Sequence, residues 1–346
     1  MKRILVNNFC FIALCILVLT GCEKKFGEGV SLKDIEVEPA LRVMIDQVTI
    51  KARAKAYPVP WDCTDYVFTW TSDNPAIAEV DDWGRITPND LGTCTITVRS
   101  GSISKTISVE IYDPPIKDRL SALGVKYLWD FEDAGNLFKP SIGNRNLEPI
   151  GSGFEQVEGN NSAKKAIHIP TSVRNESGEW VNHFYLNHGF AANGGGSLVN
   201  QFTIMLDIFI PNNGGDRAIF NTKYYPASKI AFMDAGCYYR NDGRWGINGS
   251  ESAGNMVLKD QWYRIVMCVD FGVSIKYWID GTPYLPNNGA NGSIDWDQRA
   301  WPLDGIVLFT DAANRNNVNE VTVAALAIWD RYLLDSEVST IGTLRK

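Results

Sequence analysis

Three segments of this sequence set planar aromatic rings among hydrogen-bonding side chains. They are Cys237-Tyr238-Tyr239-Arg240-Asn241-Asp242-Gly243-Arg244-Trp245, Asp295-Trp296-Asp297-Gln298-Arg299-Ala300-Trp301 and Tyr224-Tyr225. A sugar ring presents an apolar C–H face bordered by hydroxyls, so its site needs an aromatic plane with donors and acceptors beside it. The candidate ligand-binding residues are therefore Tyr224, Tyr225, Tyr238, Tyr239, Arg240, Asp242, Trp245, Trp296 and Trp301. Loop aromatics also serve as packing, and that reading stands beside the first. Trp129, Trp262, Trp278 and Trp329 lie inside apolar runs and are expected in the core.

Bond cleavage has less support. Glycoside hydrolysis needs two carboxyl groups converging on one bond. No run places acids on one strand face as Glu-x-Asp-x-Glu or Glu-x-Asp-x-x-Glu. Glu155 and Glu158 have the wrong parity for one face and stand in a Gly/Asn-rich stretch, and Asp295 with Asp297 reads as loop. A hydrolase or lyase with an unfamiliar acid pair is the enzyme alternative. A structural or adhesion protein with a protein partner is the other.

His183 and His188 fall on opposite strand faces and His168 is remote, which does not suit metal ligation. Nucleophile-elbow and phosphate-cradling sequences are absent.

The elements that position these residues read as strands. In Thr93–Val98, Cys94, Ile96 and Val98 fall on one face and the three threonines on the other, the period of a half-buried strand. Similar runs recur from Ile35 to Tyr112. After Asp113-Pro114-Pro115, where consecutive prolines stop ladder pairing, the chain becomes rich in Gly, Asn, Trp and Tyr. Short strands such as Phe202–Ile210, Trp262–Val269 and Ser274–Ile279 then alternate with turn clusters. Only Asp335–Leu344 suits a helical turn or two. The expected fold class is all-β: a small sandwich followed by a larger one.

The 346 residues carry a formal charge of −7. Residues 1–21 hold Lys2 and Arg3 and no acid, so the chain from Cys22 is 325 residues at −9. Such a balance does not favour nucleic acid, because little here displaces counterions from phosphates. Of seven cysteines, Cys63 and Cys94 are candidates for a bridge, and Cys268 suits a buried thiol.

The N-terminus has a positive start, an apolar run from Ile4 to Leu19, and then Thr20-Gly21-Cys22. That order is a secretory signal, too short for a bilayer crossing. An ordinary secretory signal that leaves Cys22 free is the nearer rival. Leu19-Thr20-Gly21-Cys22 resembles the lipobox of bacterial lipoproteins, which implies lipidation of Cys22, loss of residues 1–21 and attachment to a membrane. Glu23 is followed by Lys24-Lys25 instead of a run of acids. Envelope attachment is thus the expectation, with outer-membrane surface display its extension.

Two further resemblances concern the mature chain. Phe68-Thr69-Trp70-Thr71-Ser72-Asp73-Asn74-Pro75-Ala76-Ile77-Ala78-Glu79-Val80, then Trp83-Gly84-Arg85-Ile86-Thr87 and Gly92-Thr93-Cys94-Thr95-Ile96-Thr97-Val98, resemble the bacterial immunoglobulin-like group 2 domain. The likeness implies a spacer; Trp61 and Trp83 are candidates for contact residues, with packing the first expectation.

Tyr127–Glu132, Phe202–Pro211, Trp262–Val266 with Val273–Gly281, and Ala325–Leu333 resemble the concanavalin A-like jelly roll of the laminin-G type. Family members often carry an acid where Ala325 stands. The resemblance also implies a structural calcium, with the loop oxygens of Asp216, Asp311, Asn314 and Asn316 as candidates, and no other cofactor. The implied organisation is signal 1–21, tether 22–32, immunoglobulin-like domain 33–113, linker 114–122 and jelly roll 123–346. The domain order resembles the surface assemblies of Bacteroides-type bacteria. It implies a lectin-like, lipid-anchored protein whose partners are a polysaccharide or oligosaccharide, the membrane and outer-membrane glycan-uptake proteins.

Overall fold

The computed structural model describes residues 32, 34–45, 50–57, 67–212, 215–233, 235–254, 256–285, 292–297, 299–311 and 319–344. Cys22, Trp61 and Cys63 lie outside the described residues. The chain divides into two compact units, Met1–Pro114 and Pro115–Lys346. Among the described residues no helix is long and apolar enough to cross a membrane.

The first unit is a small β-sandwich. One sheet has the order Ala40–Met44, Ile103–Tyr112, Gly92–Ser100, Thr69–Ser72, and its first pair is parallel. A second joins Ile50–Lys51, Arg85–Pro88 and Ala78–Val80, and a third pairs Asp34–Val37 with Ala54–Tyr57. The period of two in Gly92–Ser100 holds: Cys94, Ile96 and Val98 are buried while the threonines between them are not. Cys94 is buried and packs with Val43, Ile86 and Ile107, while Cys63, its expected bridge partner, is one of the residues outside the description. Gly84 has φ +75° and lies flat against Trp70, where a Cβ would come 2.9 Å from the indole. Only glycine suits that position.

The second unit is a larger two-sheet sandwich. Its eight-stranded sheet has the order Glu155–Glu158, Lys165–Ile169, Val321–Trp329, Gln201–Phe209, Trp262–Asp270, Ser274–Ile279, Thr282–Tyr284, with Tyr127–Trp129 also pairing Val321–Trp329. Its seven-stranded sheet has the order Glu148–Ile150, His183–Leu186, Ile306–Leu308, Arg217–Asn221, Cys237–Tyr239, Trp245–Ile247, Ser250–Glu251. Between them lie Trp129, Phe184, Phe202, Phe220, Trp245, Trp301 and Tyr239. The Phe202 and Trp301 rings stack with centroids 4.1 Å apart. Burying each such ring contributes about 2–3 kcal/mol.

The central strands of the larger sheet read as unbroken apolar runs because both faces are covered. On the outer face, Met205, Val266, Cys268, Ala325, Ala327 and Trp329 meet Leu120, Val338 and Ile341. Those three come from two helices, Ile116–Ala122 and Asp335–Ile341. Residues 116–122 are therefore not a linker as expected. Ile116, Leu120 and Leu123 follow helical spacing and pack on the sheet, and Pro115 stands before the first turn. Glu155–Glu158, expected as loop, is an edge strand with both acids exposed.

A buried ion pair ties this face together. Arg264 donates from Nε and Nη2 to the two Asp207 oxygens, each at 2.7 Å, and from Nη1 to the Ile341 carbonyl at 3.1 Å. The two are cross-strand partners, and Asp207 stands opposite Ala325.

Candidate functional site

The hairpin Cys237–Tyr239/Trp245–Ile247 pairs Tyr239 with Trp245, and both rings point into the sandwich. Tyr238 points the other way. Its hydroxyl donates to Asp311 (3.0 Å) and accepts from the Ala235 amide (2.7 Å). Arg240, two residues on and on the same face, lays its guanidinium 4.0 Å from the Tyr238 ring centroid. The aromatic rings expected to meet ligand at Tyr238, Tyr239 and Trp245 are thus buried, and so is Trp301. Their positions in strands, rather than in the turn, are the reason.

What this hairpin offers solvent is polar. Arg240 donates from Nη1 to Asp216 at 3.1 Å, and from Nη2 to Asn248 and Glu251, each at 3.2 Å. Asp216 also accepts from the Asn241 amide (2.7 Å), and Arg244 pairs with Asp242 (2.8 Å). These groups line a cleft of about 500 Å³ with Gly249 at its border.

Trp296 and Arg299 abut this cleft. A Cβ on Gly249 would lie 3.9 Å from the Trp296 ring, and Arg299 donates from Nε to the Asn248 carbonyl at 3.1 Å. Trp296 is half-buried, meeting Phe271 edge to face with centroids 5.8 Å apart. The Asp295 carboxylate fixes the loop. It accepts from the Ser197 amide and hydroxyl, the Leu198 amide and Asn200 Nδ2, at 2.7 to 3.0 Å. Those bonds, the Ser197 amide first, hold its pKa well below the usual carboxylate range.

The third segment joins through Asp297, which pairs with Lys223 at 2.5 Å. In the small hairpin Tyr224–Tyr225/Ile230–Ala231, alternate side chains face opposite ways. Tyr224 is buried against Tyr185 and Val307, and burial raises its pKa. Tyr225 is 57 % exposed and meets Phe232, itself 41 % exposed, at a tilt of 41° with ring centroids 4.8 Å apart. The Phe232 amide donates to the Lys223 carbonyl (3.1 Å), so the ring pair is tied to the residue that meets Asp297. All three sequence segments therefore meet along one run of contacts. Of the expected residues, Tyr225, Arg240, Asp242 and Trp296 stand at this surface, while Tyr224, Tyr238, Tyr239, Trp245 and Trp301 support it from below.

Phe232, Asn248 and Glu251 were not singled out by the sequence. The signal for Phe232 is its place beside Ile230-Ala231, a strand whose partner is Tyr224-Tyr225.

Of the calcium candidates, Asp216 accepts from Arg240 and Asp311 accepts from the Tyr238 hydroxyl, while Asn314 and Asn316 lie outside the described residues. Among the described residues no three His, Cys, Asp or Glu side chains group as a metal site. His183 and His188 are buried, and their Nε2 atoms bond the Lys229 and Pro302 carbonyls, each at 2.9 Å. Burial brings both down to a pKa of about 4, so they are neutral near pH 7.

Residues 65–102 match the family described as the intimin, immunoglobulin-like domain, so the first unit carries an immunoglobulin-like domain. An uncharacterized protein of Clostridium acetobutylicum is 31% identical over 99 residues, which cover 27% of this chain and 25% of that protein. Two solved structures are similar to larger parts of the chain. The binding domain of botulinum neurotoxin serotype D has a TM-score of 0.41 and 12% identity, covering 63% of this chain and 50% of that one. Domain 4 of a GH43 extracellular arabinanase from Geobacillus stearothermophilus, in complex with arabinotriose, has a TM-score of 0.38 and 14% identity, covering 63% and 98%. The chain spans about a quarter of the Clostridium protein and about half of the neurotoxin chain.

Proposed function

We propose that this protein is a glycan-capturing lipoprotein of the cell envelope, anchored through Cys22, with the sandwich of its second unit as the binding module. The observation that carries the reading is the run from the exposed Tyr225–Phe232 pair through Lys223 and Asp297 to Trp296 and the Arg240 cleft. An apolar platform beside ionic donors and acceptors suits a ligand with C–H faces and hydroxyls. Capture without cleavage fits the acids here, because Asp216 and Glu251 both accept from one guanidinium and form a fixed scaffold. The first unit then serves as a spacer, and glycan-uptake proteins of the outer membrane are the natural partners.

The test is affinity electrophoresis of the full chain through gels containing a panel of polysaccharides, with reducing-sugar release measured in parallel. Retardation by at least one polysaccharide without release of reducing ends supports the reading. Release dependent on Asp216 or Glu251 replaces it with the hydrolase alternative. Metabolic labelling with a radioactive fatty acid, lost in Cys22→Ser, tests the anchor.

A further inference from the structure

Expected to be packed, Trp83 is instead 69 % exposed. It stands on a tightly fixed turn. Asp81 accepts from the Trp83 amide (2.9 Å) and the Arg85 amide (2.9 Å) and pairs with Arg85 Nε (2.7 Å). The next residue, Gly84, is locked against Trp70 and accepts from the Ala52 amide at 2.8 Å. The ring is not a lone surface hydrophobic: Val67, Phe68 and Trp70 line the same groove, and a contiguous apolar patch of this kind marks a contact site.

Beside it runs a row of cations. From Lys51 to Lys55 exposure alternates: Lys51, Arg53 and Lys55 face out, Ala52 is buried and Ala54 partly so. Alternate residues of an extended chain lie about 7 Å apart on one face. None of the three cations has an ion pair among the described residues. Together with Val67 (74 % exposed), Phe68, Trp70 and Trp83 they line a groove of about 970 Å³, where Asp82 is the one acid among the described residues. The groove is thus locally basic on a chain of net charge −7. At physiological salt the Debye length is about 8 Å, so a ligand in the groove senses these cations ahead of the distant acids.

We propose that this groove binds an acidic polysaccharide, making the first unit a second glycan site in addition to a spacer. Each uronate ring carries a carboxylate and a C–H face together, so successive rings satisfy the cations and stack on the indole at once. An acidic peptide offers the charge without the face.

The test compares the full chain, Trp83→Ala and the triple variant Lys51→Ser, Arg53→Ser, Lys55→Ser in gels containing polygalacturonate or neutral dextran. The wild type should be retarded by polygalacturonate alone, and the triple variant should lose the retardation. Trp83→Ala should bind about fivefold more weakly, the equivalent of one aromatic contact. Binding should vanish at about 1 M salt, where the Debye length is about 3 Å. Equal migration of the wild type in both gels overturns the proposal, as do variants retarded like wild type. Displacement by polyglutamate with no effect of Trp83→Ala assigns the groove to acidic peptides and also overturns it. None of the altered residues belongs to the second unit, so failure here leaves the reading of the Tyr225 surface standing, and the reverse.

Discussion

The guanidinium of Arg240 lies 4.0 Å from the centroid of the buried Tyr238 ring and, on its other side, holds Asp216, Asn248 and Glu251. One side chain therefore links the outer face of the seven-stranded sheet to the polar lining of the cleft. Its charge is what allows two carboxylates to share a partly enclosed site.

Removing that charge should be costly. Arg240→Met keeps much of the packing but strips the counter-charge from Asp216 and Glu251, and should destabilise the protein by about 2–3 kcal/mol. In a domain of this size that lowers the unfolding midpoint by roughly 4–10 °C. Thermal unfolding followed by near-UV circular dichroism checks it, and an unchanged midpoint would mean the network contributes nothing net.

Acid should weaken the fold through His183 and His188. Both are held at a pKa of about 4, against roughly 6.5 in an unfolded chain. Their contribution is therefore complete above pH 6.5 and declines as pH falls toward 4, where only the unfolded chain takes up protons. The slope is up to about 1.4 kcal/mol per pH unit for each. Urea denaturation of wild type and of His188→Gln across this window isolates the effect. The variant should lose less stability between pH 6.5 and 4.5 than wild type does.

Two buried arginines should behave oppositely. Arg264 is fully engaged by Asp207 and the end of the Asp335–Ile341 helix, so Asp207→Ala should cost about 3–5 kcal/mol by leaving a buried cation unpaired. Arg217 is buried, with Nε, Nη1 and Nη2 lacking a hydrogen-bond partner among the described residues, and burial lowers its pKa to about 9. Arg217→Met should therefore stabilise the protein by about 1–4 kcal/mol. Chemical denaturation of the two variants measures both signs.

How much of this was legible in the sequence follows from what a strand pattern encodes. Alternation in Thr93–Val98 reported one dry face and one wet face, and the structure has both. Gln201–Phe209 and Val321–Trp329 carry no such alternation, because helices cover their second face; the sequence marks them as buried without naming what buries them. The helix Ile116–Ala122 passed as linker because seven residues hold too few turns to display a period.

The candidate site shows the same limit more sharply. Composition located the three segments that meet, yet inside each it could not separate ring from support. Tyr224 and Tyr225 are adjacent in sequence and opposite in role, since whether the inner face of their hairpin is occupied depends on Tyr185 and Val307, far away along the chain. Trp245 and Tyr239 flank an Asp242-Gly243 turn that resembles an exposed loop, but their cross-strand pairing turns both inward. Trp83 erred in the other direction, because the packing that motif implies belongs to Trp70 and Gly84.

The most direct measurement is the affinity of wild type and of Tyr225→Ala/Phe232→Ala for a polysaccharide that retards both the full chain and its Lys51→Ser, Arg53→Ser, Lys55→Ser variant. Isothermal titration calorimetry supplies the affinity, and a thermal melt of each protein supplies the control. Removing two exposed rings should leave stability within about 1 kcal/mol and weaken binding at least about tenfold, the equivalent of two aromatic contacts. Binding that survives the double substitution unchanged, or a wild-type chain that binds no polysaccharide at all, would contradict the account.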